Sequence, residues 1–192
     1  MKLEKIKGSI LDRLDLALLV IDIQDRLSKA MFNEAEMKLN SKRLIQLATI
    51  YNIPIIVTEQ NPAKLGGTNA EIMEEAKKNA NVHVIVKNAF DALAESDELV
   101  KLLERLNRRQ IVIVGMESHI CVFQTARSLS LSGFSVTIAA DACASRTVEN
   151  HNNALSLMQS CNCFISSCEG ILFDIVKTAK DANFKAAQAL IK

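Results

Sequence analysis

An open α/β fold, three layers with a mostly parallel six-stranded sheet between helices, follows from the order of apolar segments along the chain. Two observations predict it. Short β-type runs alternate with longer amphipathic stretches, and most of those runs are apolar throughout rather than at every second residue. Continuous apolar runs mark strands buried on both faces, the condition of a parallel sheet covered by helices.

In chain order, Leu16–Ile23 (LALLVIDI) reads as the first strand. Met37–Tyr51 is a helix, with Leu39, Leu44, Leu47 and Ala48 at helical spacing. Pro54–Thr58 is the second strand and Asn69–Lys78 the next helix, carrying Ile72, Met73 and Ala76. Between them Asn61–Thr68 (NPAKLGGT) is the longest loop, either a lid or a turn. Val82–Lys87 is the third strand. Ser96–Asn107 sets Leu99, Leu102, Leu103 and Leu106 on one helical face. Gln110–Gly115, Ser135–Ala140 and Cys163–Ser167 are the remaining strands. His119–Leu131, Val148–Gln159 and Gly170–Lys180 are helices, and Asp181–Lys192 is a short final one. No linker or repeat interrupts residues 1–192, which read as a single domain.

Composition removes several function classes. The chain has 192 residues, 23 basic and 22 acidic, for a net charge of +1. That balance leaves no electrostatic footprint for nucleic acid. The Leu16–Ile21 run stops at Asp22, well short of the roughly 18 apolar residues of a membrane helix. Asp12, Arg13 and Asp15 interrupt any secretory leader, and Glu4 adds to the acids that a transit peptide lacks. Five cysteines fit no disulfide framework, so a reducing cytoplasmic setting is expected. There is no Walker A sequence and no G-x-G-x-x-G, so no nucleotide cofactor is expected. Cys161, Cys163 and Cys168 lack the paired spacing of a zinc site and read as packing residues, as does Cys143.

Ligands of open α/β sheets bind beyond the carboxyl ends of the strands, so reactive side chains there matter most. Asp22 is an acid inside an apolar run, costly to bury unless partnered. It either caps a loop or works as a base. Lys87 ends the third strand, where it either snorkels outward or joins Asp22. Cys121 falls in the first turn of the helix after the fourth strand. It is either a core cysteine or a nucleophile, and the positive helix start favours its thiolate. Together the three supply a thiol, a base to take its proton and a cation to steady both charges. Gln24, two residues past Asp22, is placed to orient the carboxylate or line a pocket, and Gln60 and Phe90 are loop candidates. His119 lies two residues before Cys121, about 200° away around a helix, so it reads as a pocket-rim residue rather than a partner. His83 reads as a core or interface residue and His151 as a helix-surface residue.

These segments resemble the isochorismatase-like cysteine hydrolase superfamily. The likeness runs from LALLVIDIQDRL through IPIIVTEQNPAKLG and VKNAFDA to IVIVGMESHICVFQTARSL and VTIAADACASRT. Thr58-Glu59-Gln60, Lys87 to Phe90 and Gly115 to Ala126 are similar to the isochorismatase domain-containing subgroup in particular. The resemblance implies sheet order 3-2-1-4-5-6 and an Asp-Lys-Cys triad carried by Asp22, Lys87 and Cys121. It also implies a cis peptide at Met116–Glu117, with Met116 at the pocket and the N–H groups of Glu117 and Cys121 forming an oxyanion hole. The zinc-binding Asp-x-His of the nicotinamidase branch is replaced by Thr58-Glu59-Gln60-Asn61-Pro62, so a metal-independent hydrolase is expected. Isochorismate cleavage itself breaks a vinyl ether and has no need of a thiol. The expected activity is hydrolysis of a small amide-like substrate through a thioester, in a homo-oligomer. The rival readings are a binding module that retains the triad and a redox sensor pairing Cys121 with Cys143.

Overall fold

The computed structural model describes residues 8–192; of the sequence expectations, the Glu4 part of the leader argument and the first seven residues of the 1–192 domain lie outside them. The strands are β1 (Leu16–Ile21), β2 (Ile55–Gln60), β3 (Val82–Lys87), β4 (Gln110–Met116), β5 (Ser135–Ala144) and β6 (Phe164–Ser166). They form one sheet in the order β3-β2-β1-β4-β5-β6, every neighbouring pair parallel.

The helices are α1 (Asp25–Ser28), α2 (Glu34–Ile50), α3 (Pro62–Leu65), α4 (Ala70–Ala76), α5 (Glu98–Arg105), α6 (Phe123–Leu131), α7 (Val148–Ser160), α8 (Cys168–Val176) and α9 (Phe184–Ala189). A five-residue π-helical turn, Ser118–Val122, precedes α6.

Strand alternation assigns the two cores. Leu16, Leu18 and Val20 of β1 point to a core closed by α2, α4, α8 and α9. Ala17, Leu19 and Ile21 point to the opposite core, closed by α5, α6 and α7. β1 and β4 are therefore buried along their whole length. Each such aliphatic side chain contributes about 1.5–3 kcal/mol on burial. The edge strand β3 departs from the both-faces-buried expectation: Val84 and Val86 are 46% and 58% exposed. Leu39 also departs, pointing outward from α2 at 50% exposure.

Two element boundaries shape the crevice at the carboxyl end of the sheet. β1 ends at Ile21, earlier than its apolar run, because Asp22 turns the chain with φ of 50°. The expected helix from His119 begins instead as the π turn at Ser118, and α6 proper starts at Phe123. The Asn61–Thr68 loop contains the short α3 and is pinned by an antiparallel bridge from Thr68 to Gln24. It is a held turn.

Candidate active site

The chain leaves β1 in one direction along the sheet and β4 in the other, so a crevice opens beyond their carboxyl ends. Gly115 lets the two strand ends meet there. It has φ of +116°, and a Cβ on it would lie 2.0 Å from the Ile21 carbonyl oxygen. No side chain fits at that point.

Asp22 stands at this crevice fully buried. Its Oδ1 accepts from the Thr58 hydroxyl at 2.6 Å. Its Oδ2 accepts from Lys87 Nζ at 2.6 Å. Lys87 belongs to β3, two strands away, and its long side chain reaches past β2 to make this contact. The ammonium is 3% exposed at its side chain and is ringed by further oxygens. Gln60 Oε1 lies at 2.7 Å, the Phe90 carbonyl at 3.2 Å and the Ala89 carbonyl at 3.3 Å. A buried ion pair survives only when its remaining donors and acceptors are satisfied, and these contacts do that.

The Cys121 thiol adjoins the same carboxylate, within reach of the charges of Asp22 and Lys87. Its environment pushes its pKa up to about 12: burial first, then the Asp22 charge, against the pull of Lys87. This corrects the expectation of a favoured thiolate. The helix-start field is outweighed because the thiol is desolvated beside an anion, while the cation that would offset it is bonded to that anion. The resting arrangement is thus a thiol facing a base. The Met116–Glu117 peptide that leads into the turn is cis.

The other expected residues divide. Gln60 is brought in, on Lys87. Gln24 is fully buried and bonds β2 rather than the carboxylate: Nε2 donates to the Gln60 carbonyl at 3.0 Å and Oε1 accepts from Gln60 N at 2.8 Å. Phe90 contributes its carbonyl, while its ring is 53% exposed. Met116 packs into the core under α2 and α8 rather than lining a pocket, because its position in β4 faces that layer. His119 turns to Ser145, Nδ1 to Oγ 3.0 Å. Cys163 and Cys168 lie in opposite cores, on the carbonyls of Ala126 and Asn40. Cys143 is fully buried with its thiol on the Ile113 carbonyl.

Two residues escaped sequence reasoning. Thr58 was visible only as part of a motif. Parallel register sets Ile21 opposite Thr58, which brings the threonine hydroxyl to the residue after Ile21. His151 is buried at 7% exposure, not on a helix surface, and faces Ser118 at the start of the π turn. Its flanking polar residues NHNN concealed that.

Residues 16–169 match the isochorismatase domain family. Isochorismatase domain-containing protein 2 of Danio rerio is 34% identical over 185 residues, 96% of this chain and 87% of that protein. A MAR1 ribonuclease structure from Caenorhabditis elegans aligns with TM-score 0.87 and 28% identity, covering 95% of this chain and 92% of that one. The ycaC gene product of Escherichia coli, an octameric hydrolase of unknown specificity, aligns with TM-score 0.85 over 94% of this chain and 88% of that one; at 22% identity it shows the fold alone. With its parallel 3-2-1-4-5-6 sheet and a match that spans all six strands, this chain belongs to the isochorismatase domain family.

Proposed function

We propose that the protein is a cysteine hydrolase of small amide-like substrates, with Cys121 as nucleophile, Asp22 as base and acid, and Lys87 as electrostatic partner. One observation carries this reading: a thiol, a carboxylate and an ammonium from three separate segments meet in one buried cluster. Such a cluster is costly for a fold to keep without use.

In the first step Sγ attacks the substrate carbonyl carbon and its proton passes to Asp22. The C–O π pair becomes an oxyanion, met by the N–H groups of Glu117 and Cys121. Collapse breaks the C–N bond, and the proton on Asp22 goes to the departing nitrogen, leaving a thioester and a free amine. Water then attacks the thioester, Asp22 taking its proton, and the acid leaves as the proton returns to sulfur. Lys87, 2.6 Å from Asp22, offsets the carboxylate's charge between these transfers. A protonated resting thiol suits this scheme, because the proton that Asp22 accepts is the one the amine later needs. The scheme calls for no metal, in keeping with Thr58-Glu59-Gln60 at the end of β2.

We further propose one domain acting in a homo-oligomer in the cytoplasm. The five free cysteines support a reducing compartment. The octameric Escherichia coli relative supports assembly, which sedimentation would measure. Among the described residues no helix is long and apolar enough to cross a membrane.

The test is a panel of small amides with mass spectrometry of the intact protein under acid quench. A substrate should leave an acyl mass on Cys121. Cys121→Ala should lose both adduct and turnover, and Asp22→Asn should lower turnover at least a hundredfold. Undiminished turnover in Cys121→Ala overturns the assignment. A short RNA assayed in parallel separates this reading from the ribonuclease activity named for the Caenorhabditis elegans relative. A peroxide-induced Cys121–Cys143 disulfide would favour the redox reading instead.

A further inference from the structure

The turn that carries Cys121 is gripped residue by residue from one neighbouring segment. Glu117 Oε2 accepts from Arg146 Nε at 2.9 Å. Ser118 Oγ meets His151 Nδ1 at 2.9 Å. His119 Nδ1 meets Ser145 Oγ at 3.0 Å. Three successive residues, Glu117 just before the turn and Ser118 and His119 within it, thus meet three residues of the Ser145–His151 stretch, which joins β5 to the first turns of α7.

The three contacts are unequal. Arg146 is 55% exposed at its side chain, so its ion pair is screened and weak. The Ser118–His151 bond is buried: Ser118 has no exposed surface and His151 has 7%. Burial removes water as a competing partner, so each group has reason to keep the other. His151 is itself firmly placed. Thr147 caps α7 by accepting from Asn150 N at 3.2 Å, and His151 N donates to the Thr147 carbonyl at 3.2 Å. The Phe32 ring packs edge-on against the imidazole, centroids 5.7 Å apart. Burial lowers the His151 pKa, which favours the neutral imidazole beside Ser118.

A π turn has fewer supports than an α-helix of the same length and is a common place for function. Cys121 sits three residues after Ser118 within it. We propose that His151 is a positioning residue: through Ser118 it holds the π turn so that the Cys121 thiol stays against Asp22. This rests on the proposed roles of Cys121 and Asp22, and it assigns a task to a buried imidazole that the chemical steps do not use.

The experiment is the rate of Cys121 alkylation by iodoacetamide at pH 7, followed by peptide mass spectrometry, with the partly buried Cys161 as internal reference. Asp22 assists this reaction by taking the thiol proton, so Asp22→Asn should slow it at least tenfold; if it does not, the reading of the site fails. Ser118→Ala and His151→Leu should each slow Cys121 about tenfold and leave Cys161 unchanged, and the double variant should be no slower than the slower single. His151→Asn, whose amide oxygen lies near the position of Nδ1, should restore most of the rate. The positioning role is overturned if Asp22→Asn slows alkylation while Ser118→Ala and His151→Leu both stay within twofold of the parent. Multiplying losses in the double variant would overturn it as well. Thermal melts of every variant identify any that fails to fold, and Ser118→Ala, which removes only a hydroxyl, then decides.

Discussion

Asp22 illustrates how much one side chain depends on its neighbours. Its two oxygens are divided between Thr58 and Lys87, and its exposure is zero. Removing Lys87 leaves a buried anion without its cation. Lys87→Met should therefore destabilise the protein by about 3–5 kcal/mol. Removing only the Thr58 hydroxyl leaves the ion pair intact. Thr58→Val should cost less, about 1.5–3 kcal/mol, as expected for one hydrogen bond to a charged group. Urea unfolding with an unchanged m-value would measure both. A Thr58→Val loss larger than that of Lys87→Met would show that the ion pair is not what holds the carboxylate. In the double variant Asp22→Asn/Lys87→Met the loss should fall well below the sum of the singles, because the unpaired charge is then gone.

Among elements, the junction of β1 and β4 is the least tolerant. The short approach at Gly115 brings the strand ends together and sets the π turn across from Asp22. Gly115→Ala combines a φ of +116° with a contact no Cβ can make. We expect a loss of at least about 3 kcal/mol, or failure to fold, by thermal melting. Gly66→Ala serves as the comparison: its φ is also positive, at +78°, but nothing lies within 4 Å of the added carbon. It should cost less, about 1–3 kcal/mol, from backbone strain alone. Equal losses at the two sites would mean that close packing between the strands is not the cause.

For the molecule as a whole, the buried cysteines contribute to the alkaline limit, together with Tyr51, which is also raised to about 12. Cys121, Cys143, Cys163 and Cys168 are each pushed from 9.0 up to about 12, with burial as the first cause. The folded state holds these protons more tightly than the unfolded chain does. Their contribution to stability is therefore complete below about pH 9 and is lost as the pH rises toward about 12. The Tm should fall steeply across that interval. Cys143→Ala, whose thiol is buried away from the triad, should make the decline shallower. An unchanged slope would mean that thiol ionisation does not govern alkaline unfolding. On the acid side the order reverses for His151. Burial lowers its pKa below 6.5, so its contribution is present above that value and declines as the pH falls through it.

The continuous apolar runs and the helical stripes were enough to determine an α/β sheet and the strands themselves. β3 was read over its observed residues, Val82–Lys87, because apolar spacing is a local property of the chain. Asp22, Lys87 and Cys121 stood out for a local reason, each a reactive group in or just beyond an apolar run. The resemblance to a family added the sheet order. What the tertiary structure alone decided was partnership and sign. Only the β1–β2 register brings Thr58 to Asp22, and only packing around α7 hides His151 among polar neighbours. The thiol shift turned upward rather than downward for the same reason. A pKa depends on burial and on charges from distant segments, and neither quantity is written in the few residues around Cys121.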